Sequence, residues 1–289
     1  MVTTPSMEAP PTMRSTEWIQ LGFVLAFAIA AWGTTFASRP LPIRHRWNVT
    51  ALAAFAIILI AAAHILRPRL PANSYASLLD AVTTAVFLVP YWQTGQFFLG
   101  PNQQLQARLL AIDQRLFPRA SAASGTRRNL IGALLEAAYL SCYPLVPLGI
   151  IAVYAGGLRH HIEGFWLVLL IATYICYGFT PLVPALPPRS LIKPTATEEN
   201  AAGKTRLLNL FLLKHGSIHA ISFPSAHVAS AFAIAFVLLY YSPPLGTIFL
   251  IIAIMISLGA IIGRYHYALD VILGAATALA TFLACLHWL

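Results

Sequence analysis

The stretch that decides the fold runs from Ser222-Phe-Pro-Ser-Ala-His227 to Gly263-Arg-Tyr-His-Tyr-Ala-Leu-Asp270, with a largely apolar segment between them. That segment is interrupted around 242–244, so it predicts two helices, 224–241 and 245–262, of about the length that crosses a membrane. One helix crosses and the next returns, which brings His227 and His266 to the same membrane face. The stretch therefore predicts a helical membrane protein with a polar cluster at one surface.

The composition of the whole chain supports this reading. Its 289 residues are 58% hydrophobic and 9% charged, whereas soluble domains are roughly half apolar and a quarter charged. A soluble enzyme of this size has too little interior to bury so much apolar surface, so that class is excluded. The net charge of +9 favours anionic headgroups or phosphate-bearing ligands as partners. Nucleic acid is not predicted, because aromatic-flanked RNA-binding signatures are absent.

Apolar runs of span length predict about eight membrane helices in an all-α polytopic bundle. Two of the runs are weaker than the others, since 78–98 contains Asp80 and Pro90, and 224–241 begins with polar residues. We expect Asp80 to face a neighbouring helix or a wet cavity. Residues 1–74 form a tail and an accessory two-span hairpin in this interpretation, and 75–289 form a six-span core. The predicted spans are 19–36, 49–66, 78–98, 131–156, 165–183, 224–241, 245–262 and 267–289.

Two connections contain amphipathic segments that predict helices lying in the membrane interface. The first, 101–129, has apolar residues at helical spacing, and the second, 185–222, has a short apolar piece between Arg206 and Lys214. If the eight spans are right, 14 Lys and Arg lie on the side of these connections and 4 on the other. The positive-inside rule then predicts that the polar cluster faces the cytoplasm.

The first polar motif opens the predicted sixth span. Ser222 can cap the helix, Pro224 suits its first turn, and the exposed amides that follow form a seat for an anion. Ser225 and His227 flank that seat. The alternative interpretation is a capped helix start with an interfacial histidine.

The second motif opens the last span. His266 and Asp270 are four residues apart and share one helix face, where the carboxylate can orient the imidazole. Arg264 lies just outside and can bind phosphate oxygens with its planar fork. Alternatively, Asp270 pairs with Arg264 at the membrane edge. A carboxylate that begins a lipid-embedded run is costly, however, which favours a functional partner.

A third segment, Pro184-Ala-Leu-Pro-Pro-Arg189, ends the fifth span on the same face and adds a second arginine. The convergent groups suit phosphoryl transfer through a phosphohistidine. In this hypothesis His266, oriented by Asp270, attacks phosphorus, and His227 protonates the leaving oxygen and then activates the acceptor. Three side chains are expected to hold the phosphate oxygens together with the helix amides: Arg189, Arg264 and Ser225.

The sequence predicts no metal and no other cofactor. Its only three aspartates are Asp80, Asp113 and Asp270, which belong to separate segments, so the carboxylates that bind magnesium are missing. The three cysteines lie in apolar runs and indicate neither a disulfide framework nor a zinc site. No obligate protein partner is predicted either.

The residues resemble the type 2 phosphatidic acid phosphatase superfamily, whose members carry a Pro-Ser-Gly-His motif and a later His-x-x-x-Asp motif. Here these read Pro224-Ser-Ala-His227 and His266-Tyr-Ala-Leu-Asp270. The resemblance covers the six spans from about Leu78 onward, and it implies a six-helix core and metal-independent chemistry on lipid phosphates. The chain departs from the usual motifs at three positions, which are Leu182, Ser190 and Ala260.

Several residues are more similar to the inositol phosphorylceramide synthase branch, whose members transfer a phospho-headgroup to an alcohol. These are the motifs Pro-Pro-Arg and Arg-Tyr-His-Tyr, and Glu136 with Tyr139 and Tyr143. We predict an integral membrane lipid phosphate phosphatase or phosphotransferase, with a headgroup phosphotransferase as the alternative. A third hypothesis is a phosphate or phospholipid transporter that uses the same groups without covalent chemistry.

Overall fold

The computed structural model describes residues 13–36, 40–116, 130–191 and 204–289. These residues form helices, with no strand among them, so the predicted all-α bundle is confirmed. The helices are α1 (Ser15–Gly33), α2 (Ile43–Leu66), α3 (Ala72–Phe87), α4 (Val89–Gly95), α5 (Gln103–Leu116), α6 (Leu130–Leu140), α7 (Leu145–Ala155), α8 (Ile162–Phe179), α9 (Lys204–Gly216), α10 (Ala226–Tyr241), α11 (Pro243–Ile262) and α12 (Ala268–Cys285).

Six helical segments in the described part of the chain are long and apolar enough to cross a membrane. The predicted span 131–156 is not one straight helix, because α6 and α7 meet at an angle of 76°. Pro144, which has no N–H to donate, stands directly before α7 and interrupts the helical hydrogen bonds. The protein is therefore a multi-pass membrane protein, and at most seven segments among its described residues meet the length criterion.

The predicted span 224–241 is also shorter than expected. Helix α10 begins only at Ala226 and has 16 residues, because the preceding polar residues form its cap and do not join the helix. The two connecting segments do form helices, α5 and α9, as their spacing indicated.

Helix α10 lies at the centre of the bundle and packs against α8, α11 and α12. It is apolar on all sides, as expected of a helix without a solvent face. Alanines let neighbouring backbones approach closely, and Ile234 and Leu238 are fully buried. At Gly246 of α11 an added Cβ would collide with the backbone nitrogen of Leu239. The hairpin α10–α11 is therefore closely packed where its two helices meet at the turn.

Helices α1 and α2, which the sequence predicts to be an accessory hairpin, are hydrogen-bonded to the rest of the bundle. Gln93 of α4 donates its side-chain amide to the carbonyl oxygens of Val24 and Val49, at 3.1 and 3.0 Å. Gln20 of α1 donates to the carbonyl oxygen of Thr83 at 2.8 Å. The boundary between residues 74 and 75 stays a prediction.

Asp80 of α3 faces neighbouring helices, as expected. Its carboxylate accepts hydrogen bonds from Arg14 Nη1 at 2.8 Å, Trp166 Nε1 at 3.1 Å and the Tyr154 hydroxyl at 2.5 Å. These partners compensate the cost of a buried carboxylate inside an apolar helix. Asp80 therefore joins α1, α7 and α8 at a place apart from the histidines.

Candidate active site

His266 and Asp270 form a buried pair at the start of α12. The Nδ1 atom of His266 lies 3.0 Å from Oδ2 of Asp270, and the two side chains are 5% and 0% exposed. A carboxylate only accepts hydrogen bonds, so we assign the imidazole hydrogen to Nδ1 and the lone pair to Nε2. His266 thus presents the lone pair of Nε2 in one fixed orientation.

His227, in the first turn of α10, faces that same nitrogen. Its Nδ1 lies 3.4 Å from Nε2 of His266, and the ring centroids are 5.6 Å apart with the planes inclined by 65°. The hairpin α10–α11 brings the two histidines together from positions 39 residues apart. The two rings therefore meet at one place, where the hydrogen on Nδ1 of His227 can face the lone pair on Nε2 of His266.

The environment of His266 favours its uncharged form. Burial and, after it, the positive charge of Arg189 lower the pKa of His266 below the ordinary value of an imidazole. At neutral pH the ring is therefore uncharged, so Nε2 keeps the lone pair that a nucleophile requires.

Two serine hydroxyls cap the start of α10. Ser222 Oγ accepts from the N–H of Ala226 at 3.2 Å, and Ser225 Oγ accepts from the N–H of Val228 at 3.5 Å. Two backbone N–H groups that the sequence predicts to bind an anion, those of Ala226 and Val228, thus already donate to the hydroxyls of Ser222 and Ser225. Substrate binding by Ser225 stays a prediction. Its side chain could donate the hydroxyl hydrogen to a substrate oxygen, since the hydroxyl oxygen already accepts from Val228.

The starts of α10 and α12 are in direct contact. The backbone N–H of Ser225 donates to the carbonyl oxygen of Asp270 at 2.9 Å. Gly274, one turn along α12, has no side chain at the contact, and an added Cβ there would lie 2.5 Å from the carbonyl oxygen of Ser225. A third element, α5, contributes Asp113, which accepts from the N–H of Ala268 at 2.7 Å and so caps α12. These contacts fix the two histidine-bearing helix starts relative to each other.

Arg189 and Arg264 lie on adjoining turns beside the histidines. The N–H of Arg189 donates to the carbonyl oxygen of Arg264 at 3.0 Å, and its guanidinium carbon lies 5.4 Å from the ring centroid of Tyr265. Arg264 has φ of 59°, a left-handed conformation that residues with a Cβ adopt only at a cost. Phosphate binding by the two arginines stays a prediction.

A polar network behind Tyr265 supports this turn, and most of its contacts are not predicted from the sequence. Glu136 accepts from Arg206 Nη1 at 2.8 Å, from the Tyr265 hydroxyl at 2.6 Å and from Asn209 Nδ2 at 2.9 Å. The ring of Tyr139 stacks on the ring of Tyr265, with centroids 4.1 Å apart. A carboxylate at 136 inside an apolar run was the available signal, because it requires a cationic partner. Helix α9 supplies that partner.

In the described ranges, no group of three or more His, Cys, Asp or Glu is placed to hold a metal ion. The roles assigned to His266, Asp270, His227, Arg189, Arg264 and Ser225 stay predictions, although the structure brings these residues to one end of the bundle.

A family model described as the PAP2 superfamily matches residues 107–284. No curated protein and no solved structure shows a significant match to the chain.

Proposed function

We propose that this chain, which belongs to the PAP2 superfamily, is a lipid phosphate phosphatase that works through a phosphohistidine at His266. Membership of that superfamily supports a phosphatase- or phosphotransferase-type function. The observation that carries the proposal is the buried His266, whose Nδ1 faces Asp270 and whose Nε2 faces His227.

The proposed reaction has two displacements. In the first, Nε2 of His266 forms a bond to phosphorus, the bond from phosphorus to the ester oxygen breaks, and His227 gives its proton to that oxygen. In the second, His227 accepts a proton from water while the water oxygen attacks phosphorus and the P–N bond breaks. Asp270 stabilises the positive charge that His266 carries in between. Arg189 and Arg264 stabilise the equatorial phosphate oxygens.

The test uses the purified full chain in detergent with lipid phosphates labelled on phosphorus. We expect release of phosphate and, after rapid quenching, label bound to protein that acid removes and alkali does not. His266→Ala should lose turnover by several orders of magnitude and take up no label. Asp80→Asn is the matched control, because it alters a buried aspartate outside the site.

Addition of inositol or glycerol to the same assay separates hydrolysis from transfer. Phosphate release that stays constant supports the phosphatase, and a phospho-alcohol product supports the transferase. Wild-type protein that turns over no lipid phosphate but moves phosphate across liposomes would overturn the enzyme and support transport.

For orientation we propose that the site faces the cytoplasm, on the strength of the 14 to 4 division of basic residues. Reporter fusions at residue 200 and after residue 289 test this. A reporter at 200 that is active only outside the cell contradicts it.

A further inference from the structure

A cavity of about 330 Å³ adjoins the candidate site on the side of His227. It lies between α3, α4, the break between α6 and α7, and the end of α9, and no step proposed above uses it. Its walls are mostly apolar or aromatic, and His227 is one of its lining residues together with Phe87, Leu88, Trp92, Val146 and Leu213.

The cavity is open on one side. Leu88, Trp92 and Tyr143 line it and are 42%, 39% and 43% exposed, so one side has no protein cover. Leu88 and Trp92 belong to the segment Ala72–Gly95, which is long and apolar enough to cross the membrane. We therefore expect this open side to face the hydrocarbon layer.

The position of His227 determines which part of a substrate the cavity can hold. One edge of the His227 ring faces the nucleophilic Nε2 of His266, and the ring also lines the cavity. The oxygen that receives a proton from His227 must lie within hydrogen-bond distance of this ring. Phosphorus bonded to His266 lies on one side, so the alcohol that carries this oxygen extends toward the cavity.

We propose that the cavity binds one hydrocarbon chain of the alcohol that leaves phosphorus, and that it selects for single-chain apolar alcohols. The proposal rests on the proposed function. A volume of about 330 Å³ is near the lower end of the range of roughly 300–1,000 Å³ for small-molecule sites, which suits one chain rather than two. A polar leaving group would lose its hydration against these walls without replacement.

Monoalkyl phosphates with four to ten carbons, used below their micellar concentrations, test the proposal. Burial of a methylene contributes about 0.8 kcal/mol, which is about a fourfold change in rate. We expect kcat/KM of the full chain to rise by about two- to fourfold per methylene and to level off when the cavity is full. In parallel, thermal stabilisation by the same compounds should rise with chain length.

Leu88→Trp narrows the cavity and should flatten the chain-length dependence, whereas Leu88→Ala should shift the plateau to longer chains. Leu148→Trp is the matched control, because Leu148 is 44% exposed and does not line the cavity. Its chain-length dependence should match that of the unaltered protein.

Turnover with equal kcat/KM for all chain lengths overturns this proposal and leaves the proposed function standing. Absence of turnover and of protein-bound phosphate for every compound overturns the proposed function. In that case chain-dependent thermal stabilisation, lost in Leu88→Trp, still supports an alkyl-binding cavity, and its absence overturns that cavity as well.

Discussion

The backbone N–H of Arg189 donates a 3.0 Å hydrogen bond to the carbonyl oxygen of Arg264. This bond joins the end of the fifth predicted span to the turn before α12, so the two arginines keep a fixed separation beside His266. Arg264 points its carbonyl oxygen at Arg189 while its backbone is in a left-handed conformation, with φ of 59°. The turn therefore maintains a strained residue next to the candidate nucleophile.

Two replacements of Arg264 distinguish the effect of its charge on stability from the effect of its backbone strain. Both Arg264→Gly and Arg264→Ala remove the guanidinium, but only glycine relieves the left-handed conformation. We expect the glycine variant to be more stable than the alanine variant by about 1 kcal/mol, measured by thermal unfolding in detergent. Equal stability of the two variants would show that the turn is relaxed in the folded protein.

Asp270→Asn tests whether the carboxylate acts on His266. The amide has nearly the same size but cannot stabilise a charged imidazole. We expect kcat to fall by about 10³–10⁴-fold with a much smaller change in KM. Steady-state kinetics on a labelled lipid phosphate measure both quantities. The interpretation is wrong if the loss is no larger than in Asp80→Asn.

The lowered pKa of His266 predicts how the free energy of unfolding changes with pH. The unfolded chain takes up a proton on this imidazole near pH 6.5, whereas the folded protein, whose His266 pKa is lowered by burial and by Arg189, does not. Stability is therefore complete above about pH 6.5 and falls as the pH drops below it, by at most about 1.4 kcal/mol per pH unit from this group.

Thermal unfolding of the unaltered protein and of His266→Gln, followed from pH 7.5 to 5, isolates this contribution. We expect the variant to lose less stability over that range. Identical slopes for the two proteins would mean that the imidazole titrates alike in the folded and the unfolded states.

Gly274→Ala tests the contact between α12 and the start of α10. The new Cβ would lie 2.5 Å from the carbonyl oxygen of Ser225, so the helices must separate or the backbone must distort. We expect a loss of about 1–3 kcal/mol and lower activity, because His227 and His266 shift relative to each other. In Gly22→Ala, where nothing lies within 4 Å of the new Cβ, stability should stay the same or rise. A Gly274→Ala protein as active and stable as Gly22→Ala would contradict the close packing.

The helices and the His266–Asp270 contact were predictable because both depend on local spacing. Apolar runs mark helices in a membrane, and residues four apart at a helix start face each other. The pairing of Glu136 with Arg206 was not predictable in this way, since 70 residues separate the two and no periodicity connects them. Pro144 indicated an interruption, but the angle of 76° depends on how α6 and α7 pack against their neighbours. The contact between Arg206 and the Tyr265 hydroxyl depends likewise on how α9 packs against the bundle.

The length of α10 determines how deep the reaction would take place. Its 16 residues extend about 24 Å, about 6 Å less than the roughly 30 Å thickness of the hydrocarbon layer. If Tyr241 reaches one boundary of that layer, the first turn with His227 ends below the opposite headgroup plane. In the proposed reaction a phosphate that binds there would have to descend from its own leaflet and shed its counterions, so we expect the rate to depend on the local membrane thickness.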